Sequence, residues 1–252
     1  MLNLITLILM LQLAAPQSSF HYHHGAIIRG DKNLRELALV FTGDEFADGG
    51  NHIRAVLSNF GIKASFFLTG NFYRNPDFEE IISGLKQDGH YLGAHSDQHL
   101  LYCAWENRDS LLVSKEQFLA DLDSNYAVMR SFGIEKSEAR FFIPPYEWYN
   151  STIARWCQEV GITLVNFTPG TRSHTDWTYP EIGKSYVSSE AIFKSIVDFE
   201  MKEQAGLNGF ILLLHIGSDP RRSDKFHTNL AELIEHLTAK GYQFKRIDAL
   251  LK

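Results

Sequence analysis

The sequence predicts an α/β protein, a distorted or incomplete (β/α) barrel of about seven parallel strands. From residue 37 onward, short apolar runs alternate with segments of helical periodicity, a pattern typical of a mostly parallel sheet wrapped by helices. Polar and aromatic residues follow several of the apolar runs, as they do at the carboxyl ends of barrel strands. A chain of 252 residues is long enough to bury one core of this kind.

Each element is predicted from its own pattern in the chain. Apolar runs of four to six residues predict strands at 37–42, 64–68, 90–94, 139–143, 163–167, 210–215 and 243–247. Helical periodicity predicts helices near 51–60, 76–88, 115–132, 150–160, 188–204 and 228–240. Asn75 before Pro76 is typical of an N-cap and a first helical residue. Two pairs fit a capping box, Ser114 with Gln117 and Asn229 with Glu232.

The N-terminus has the pattern of an export signal. Residues 2–15 are uncharged and almost wholly apolar, too short a run for a membrane span and about right for a signal peptide. We therefore expect residues 1–18 to be a signal peptide, residues 19–252 to be a single domain, and the protein to be periplasmic or secreted. An N-terminal helix of the fold is the alternative, since no Lys or Arg precedes the run. The histidine-rich segment 21–31 is expected to be a flexible N-terminus, with a second metal site as the alternative.

Charge and cysteine content exclude some classes of partner. The net charge is −6, and the densest basic cluster is Arg221, Arg222 and Lys225, so we expect no nucleic acid partner. Cys103 and Cys157 are the only cysteines; two make no disulfide framework, and we expect two buried thiols.

Two histidines at the end of the predicted third strand are candidate metal ligands. His95 and His99 are four residues apart, so one helical turn would place both imidazoles on the same face. Neutral imidazole is a common ligand of zinc and similar ions. The chain holds 11 histidines, however, and two incidental histidines at a helix start would give the same spacing.

Further polar groups follow the other predicted strands. Because barrel strands present their carboxyl ends at one face, we expect these groups to lie together. They are Thr42–Glu45, Pro144–Trp148 and His215, with His174, Asp176 and Trp177 from the loop after the fifth strand.

In their order and spacing, five segments resemble the motifs of polysaccharide deacetylases, the NodB-homology domains of carbohydrate esterase family 4. They are LALVFTGDEF, GAHSDQH, FFIPPYEW, TDW and ILLLH, and the resemblance extends over roughly residues 37–249. It implies a distorted (β/α) barrel and hydrolysis of acetyl groups from sugars. It also implies one divalent metal ion, with zinc as the default and cobalt, nickel or manganese as alternatives.

The resemblance implies a role for each of the candidate site residues. Asp44, His95 and His99 would bind the metal, which lowers the pKa of bound water to about 7 and polarises the acetyl carbonyl. His215 would protonate the leaving group, held by Asp176. Tyr146, Trp148 and Trp177 would bind the sugar, and the backbone near Tyr146 would help to bind the oxyanion.

Two motifs depart from the family pattern. The first motif of the family carries two aspartates, which here fall on Thr42 and Gly43. We expect a one-residue bulge to bring Asp44 into the ligand position and to leave the position of the base without a carboxylate. In the third motif Ile143 replaces an arginine that pairs with that base in the family, and losing both partners together avoids an unpaired buried charge.

The identity of the base and of the function stays open at this point. Glu45 is the first candidate base, followed by Asp48 and Glu147, and metal-bound hydroxide with His215 alone is a further route. The leading function is carbohydrate deacetylation. The alternatives are a hydrolase of the same fold acting on another amide or ester, and an inactive domain that binds glycans through Trp148, Tyr149 and Trp177.

Overall fold

The fold was analysed in a computed structural model that describes residues 19–252. Within this range the strands are β1 (His21–His23), β2 (Ala26–Arg29), β3 (Glu36–Gly43), β4 (Ser65–Leu68), β5 (Tyr91–Ala94), β6 (Phe141–Phe142), β7 (Thr163–Leu164), β8 (Phe210–His215) and β9 (Gln243–Phe244). The α-helices are α1 (Gly50–Asn59), α2 (Gly70–Arg74), α3 (Glu79–Gln87), α4 (Lys115–Ser131), α5 (Ser151–Glu159), α6 (Ser189–Lys202), α7 (Leu230–Ala239) and α8 (Ile247–Leu250). No helix among these residues is long and apolar enough to cross a membrane.

The strands form one curled, mixed sheet, which confirms the predicted fold class. Its order is β1-β2-β8-β3-β4-β5-β6-β7, and β9 also pairs with β3. Strands β3 to β9 are the seven predicted parallel strands, whereas β2 pairs antiparallel with both β1 and β8. On its other side, the Ile27 carbonyl accepts a hydrogen bond from the Asn166 N–H just after β7, so β2 bridges the two ends of the curled sheet.

Successive side chains of β3 pack alternately into two separate cores. Leu37, Leu39 and Phe41 join the large core between the sheet and the helices. Ala38 and Val40 face the other side and join the smaller core within the curl. Since successive strand residues point to opposite faces, a strand buried on both faces must be apolar throughout, as this one is.

Several local predictions can be compared with the observed chain. Ser114 and Gln117 form the predicted capping box at the start of α4, and Asn75 caps the 3-10 helix Pro76–Phe78. Asn229 makes no side-chain cap, because the 3-10 helix Phe226–Asn229 leads directly into α7; that prediction was wrong. Both cysteines are buried free thiols, as expected.

The N-terminal segment of the described chain is ordered rather than flexible. The backbone turns at His24 and Gly25, with φ of 45° and 85°, and joins β1 to β2 in a hairpin. The expectation of a flexible segment at 21–31 was therefore wrong, because β2 pairs with β8 and is buried. The predicted signal peptide falls on residues 1–18, outside the described residues.

Candidate active site

The candidate site lies where β3, β5 and β8 end. Thr42 and His215 are direct neighbours in the parallel pairing of β3 with β8. Asp44 is the first residue after β3, and His95 is the first residue after β5. Parallel strands that end at one edge bring these three side chains together, as the sequence predicted.

Asp44 is held by the neighbouring strand end. Its Oδ1 accepts hydrogen bonds from Thr69 Oγ1 at 2.7 Å and from Asn71 Nδ2 at 3.3 Å. Its Oδ2 lies 3.8 Å from His99 Nδ1. One carboxylate oxygen is therefore fixed by the protein, and the other faces the histidine.

His95 is buried and fixed through its backbone and its ring. Its N–H donates to Asn125 Oδ1 at 2.9 Å, and its Nδ1 lies 2.8 Å from the Ile143 carbonyl oxygen. Because that carbonyl can only accept, Nδ1 carries the proton and Nε2 is free to bind an ion. Burial and the nearby His99 hold the pKa of His95 well below its usual range, which keeps the imidazole in the neutral form that a metal requires.

His95 and His99 are brought together by a loop, not by a helical turn. Their ring centroids are 5.2 Å apart, but the chain between them is non-helical, with φ of 74° at Ser96 and 54° at His99. Asp121 of α4 supports this loop by accepting hydrogen bonds from the N–H groups of Asp97 and Gln98, both at 3.0 Å. The expectation of a helical turn was wrong, although the proximity of the two rings was predicted correctly.

The donor types of this trio suit a divalent ion. Two ligands of a tetrahedral zinc ion lie about 3.3–3.5 Å apart, as its bond lengths of about 2.0–2.2 Å require. Asp44 and His99 are a few tenths of an ångström wider than that. As they stand, no three or more His, Cys, Asp or Glu side chains between residues 19 and 252 form a group that could hold a metal ion. The chemistry of the donors fits a metal, and Asp44 and His99 would have to approach each other slightly to share one ion.

His215 and Asp176 form a second, tightly coupled pair. Asp176 Oδ1 lies 2.6 Å from His215 Nδ1, and Asp176 Oδ2 accepts the His215 backbone N–H at 2.9 Å. Burial lowers the pKa of His215, but the negative charges of Asp176 and Glu147 outweigh it, and the net pKa is raised. With Nδ1 committed to the carboxylate, Nε2 is the nitrogen left to exchange a proton.

A buried arginine stabilises the loop that carries Asp176. Arg222 is fully buried and donates to the carbonyl oxygens of Thr178 and Val187 and to Ser189 Oγ. The sequence placed Arg222 in an ordinary basic cluster, because nothing in the chain marks which of three neighbouring cations will be buried. Its bonds hold the segment just after Asp176 in place.

Comparison with known proteins identifies the family. The polysaccharide deacetylase family model matches residues 31–165, which is more than half of the chain. The chain belongs to the polysaccharide deacetylase family.

Individual relatives of this deacetylase domain are distant in sequence. An uncharacterized 30.6 kDa protein of Geobacillus stearothermophilus is 23% identical over 230 residues, covering 90% of this chain and 75% of the relative. The structure of a CE4 family pseudoenzyme from Bacillus anthracis is 17% identical, with a TM-score of 0.70, and the match covers 92% of this chain and 70% of the other. A family 4 acetyl xylan esterase from Clostridium thermocellum, solved with cobalt, is 20% identical with a TM-score of 0.65, covering 85% and 89%. At these identities the structures show a common fold.

The first deacetylase motif departs from the family pattern without a bulge in its strand. β3 pairs regularly with β4 up to Gly43 and with β8 up to Thr42, so the bulge expected from the sequence is not present. A Cβ at Gly43 would lie 2.6 Å from Ile216 Cγ2 and 2.9 Å from Leu68 Cδ2, and a carboxylate in place of this glycine would therefore have to displace these side chains. Asp44 reaches the site simply as the residue that follows the strand.

Thr42 and Ile143 occupy the places of the family's charged pair. Thr42 is buried, and its Oγ1 has no hydrogen-bond partner among residues 19–252. Ile143 is fully buried and contributes its carbonyl oxygen to His95. With an apolar side chain at one of these positions and an uncharged one at the other, neither buries an unpaired charge.

Three carboxylates were candidate bases, and their environments differ. Asp48 is committed to an ion pair with Lys225 at 3.0 Å and to the Ser218 N–H at 2.8 Å. Glu45 is exposed and close enough to Tyr146 to raise the pKa of its phenol, after burial and Asp44. Glu147 is half-buried, and burial raises its pKa to about 7, against the opposing effect of His215.

The backbone at Tyr146 and Glu147 is strained. Both residues have positive φ, 58° and 52°, a conformation uncommon outside glycine. The Asn166 side chain helps to hold it by donating to the Glu147 carbonyl at 2.9 Å. This turn exposes the Tyr146 ring and leaves the Glu147 side chain half-buried, close enough to His215 for their charges to affect each other's pKa.

The predicted sugar-binding aromatics divide into exposed and buried groups. Tyr146 and Trp177 are 45% and 46% exposed, and the Tyr146 ring lies 4.4 Å from that of His99. Trp148 is half-buried. Tyr149 is fully buried and donates to the His23 carbonyl at 3.0 Å, so the expectation that it binds glycan was wrong. Trp105, which the sequence did not single out, is 53% exposed beside Tyr146.

Proposed function

We propose that this protein is a metal-dependent carbohydrate deacetylase, which hydrolyses acetyl groups from an N- or O-acetylated poly- or oligosaccharide. The observation that carries the proposal is the juxtaposition at one sheet edge of two groups. The Asp44, His95 and His99 donors adjoin the end of β3, where Thr42 pairs with His215 of the His215–Asp176 couple. This combination provides an electrophilic site and a proton donor, which are the two requirements of amide or ester hydrolysis.

Asp44, His95 and His99 would hold the ion. A bound divalent metal would polarise the acetyl carbonyl and favour ionisation of water. Mixed oxygen and nitrogen donors do not select one metal strongly. Zinc is therefore our default, and cobalt, which the Clostridium thermocellum esterase contains, is an alternative with nickel and manganese.

His215 would act on the leaving group. As water adds to the carbonyl carbon, the C–N or C–O bond to the sugar breaks, and the departing nitrogen or oxygen needs a proton. Asp176 holds Nδ1 of His215 and stabilises its charged form, so Nε2 can donate that proton. The products are acetate and the free amine or hydroxyl.

A carboxylate would take the proton that water loses. The sequence favours Glu45 as this base. Glu147 is supported by its burial, which raises its pKa. A base is most effective when its pKa is near the working pH, and Glu147 meets that condition with a pKa of about 7. The charges of Glu147 and His215 influence each other's pKa, which is consistent with proton movement between the two sides of the site.

Acetate release is the direct test. Acetylated chitooligosaccharides and acetylated xylooligosaccharides would be incubated with the protein, with and without a chelator, and acetate measured by an enzyme-coupled assay. We expect acetate that disappears with chelator and returns when zinc or cobalt is added. Hydrolysis of a different amide or ester, with no acetate from any sugar, would instead support another hydrolase of the same fold.

An inactive glycan-binding domain is the second candidate. It is favoured by the absence of an acid at Thr42 and Gly43, by the open arrangement of the metal donors in the described residues, and by the similarity to a CE4 pseudoenzyme. A mutant of that protein is described as having restored enzymatic activity. Binding of the same oligosaccharides by calorimetry, without acetate release at any metal concentration, would favour this candidate.

We also propose that the protein is exported. The proposal depends on the apolar run at residues 2–15, and cleavage before His21 would leave the β1–β2 hairpin intact. The intact mass of protein from its native host should correspond to a chain that starts after Ala15 and before His21. A cytoplasmic protein that retains residue 1 or 2 would refute export.

A further inference from the structure

A loop after the metal-donor segment presents an exposed tryptophan next to the candidate site. Trp105 lies between Tyr102 and Leu112, whose backbone groups are joined by a hydrogen bond from the Leu112 N–H at 2.9 Å. A second backbone bond, from the Ala104 N–H to the Ser110 carbonyl at 2.9 Å, closes the loop more tightly. The tryptophan is thus held on a short, hydrogen-bonded loop.

The Trp105 ring continues an aromatic surface that starts at the metal donors. The rings of His99 and Tyr146 are 4.4 Å apart, and those of Tyr146 and Trp105 are 5.6 Å apart and nearly perpendicular. Tyr146 and Trp105 are about half exposed. Trp105 is therefore one ring farther from the donors than Tyr146, on the same surface.

Trp148 supports Trp105 from behind. Its ring lies 5.6 Å from that of Trp105, and its Nε1 donates to the Ala104 carbonyl at 3.2 Å. The Arg108 guanidinium lies 3.6 Å from the centre of the Trp148 ring and donates to the Tyr149 carbonyl at 2.8 Å. Trp148, to which the sequence analysis assigned a sugar contact, thus serves mainly to hold the Trp105 ring in place. An aromatic ring that is already held in place loses little conformational entropy on binding.

We propose that Trp105 stacks on a sugar next to the acetylated one, so that this residue favours longer chains of the proposed oligosaccharide substrate over shorter ones. An exposed, rigid tryptophan offers a flat apolar face to the C–H face of a pyranose while its edge stays in water. Since Tyr146 lies between Trp105 and the metal donors, the acetylated sugar would contact Tyr146 and its neighbour would contact Trp105. This inference rests on the proposed deacetylase function.

The test compares Trp105→Ala with wild type on N-acetylated chitooligosaccharides and on acetylated xylooligosaccharides of increasing length, each series starting from the monosaccharide. We expect kcat/KM to fall about tenfold on the longer chains, mainly through KM, with no change on the monosaccharide; tenfold corresponds to about 1.4 kcal/mol. Trp105→Phe should recover part of the loss. Leu112→Ala is the matched control, since Leu112 is an apolar residue of the same loop with 54% exposure.

The outcomes separate this inference from the function on which it rests. An equal loss at every length, or no loss at any, would overturn the role of Trp105 while deacetylation stands. If wild type releases no acetate but binds long chains in a Trp105-dependent way by calorimetry, the role of Trp105 stands and the proposed activity fails. Absence of both acetate release and Trp105-dependent binding would overturn both.

Discussion

Replacing Asp176 with asparagine tests the proposed proton donor most directly. In the wild type both Asp176 oxygens accept from His215, one from the ring and one from the backbone N–H, at 2.6 and 2.9 Å. Asparagine has one oxygen and one NH₂ group, so in one of these two contacts the NH₂ group would face an N–H of His215 and no hydrogen bond could form. Only a change in the tautomer of the His215 ring would restore it. Asp176 is 5% exposed, and the lost pairing should lower the free energy of unfolding by about 1–3 kcal/mol.

The effect on catalysis follows from the charge that Asp176→Asn removes. Asp176 raises the pKa of His215 against the opposing effect of burial, so its loss should lower that pKa. Less of the protonated acid is then present at neutral pH, and the alkaline limb of the pH–rate profile should move to lower pH. Because general acid catalysis contributes about 10²–10⁴-fold, turnover should fall by a factor within that range.

The assay is acetate release as a function of pH for wild type, Asp176→Asn and Asp219→Asn. Asp219 is a matched control because it lies in the loop after β8 and pairs with Arg221, not with His215. Metal content and the unfolding transition should be measured on each protein. Wild-type turnover in Asp176→Asn, with an unmoved alkaline limb, would refute the assignment of His215 as the acid.

The metal donors, the carboxylates and a buried histidine give three further predictions. Replacing His95 and His99 together with alanine should abolish the expected one divalent ion per chain, and unchanged metal content by elemental analysis would contradict this site. Glu147→Gln should lower turnover about 10²–10⁴-fold with metal content unchanged; a loss in a parallel Glu45→Gln variant instead would pass the role to Glu45. Burial lowers the pKa of His90 to about 4. Between pH 6.5 and 4 this histidine is therefore protonated in the unfolded chain and neutral in the folded one. The free energy of unfolding should fall by about 2–3 kcal/mol as the pH drops through that window. The histidines His95 and His174, whose pKa values are also lowered, add to the pH dependence of both proteins, so chemical denaturation across that range should show a slope smaller by this amount in His90→Gln than in wild type.

The sequence predicted the strands that lie in apolar runs, most clearly those whose residues are buried on both faces. β3 and β8 are continuous apolar runs, because the sheet lies between two cores. β1 and β2 were missed because each has only three or four residues and β1 is polar and exposed. Their strand structure depends on the pairing of β1 with β2 and of β2 with β8, and the second of these is a tertiary contact that local pattern does not reveal.

Site residues were predictable where they follow a strand, and not where a loop delivers them. Asp44, His95 and His215 are fixed by strand ends, so the alternation of elements sufficed to bring them together. Trp105 lies in a loop without periodicity, and its position depends on Trp148 and Arg108. The environment of Glu147 depends on two successive residues with positive φ, and neither residue is of the type that favours that conformation.

The departures in the first and third motifs have linked physical explanations. Ile216 and Leu68 fill the space that a side chain at Gly43 would need, so an acid at that position would have to displace them. The next residue, Asp44, is instead aimed by Thr69 and Asn71. With no acid at Thr42, an arginine in place of Ile143 would be a buried charge without a partner, which costs several kcal/mol. Packing and the cost of a buried charge therefore account for Thr42, Gly43 and Ile143 at three positions that are charged in the family. The two histidine donors and the His215–Asp176 pair are present in the same chain.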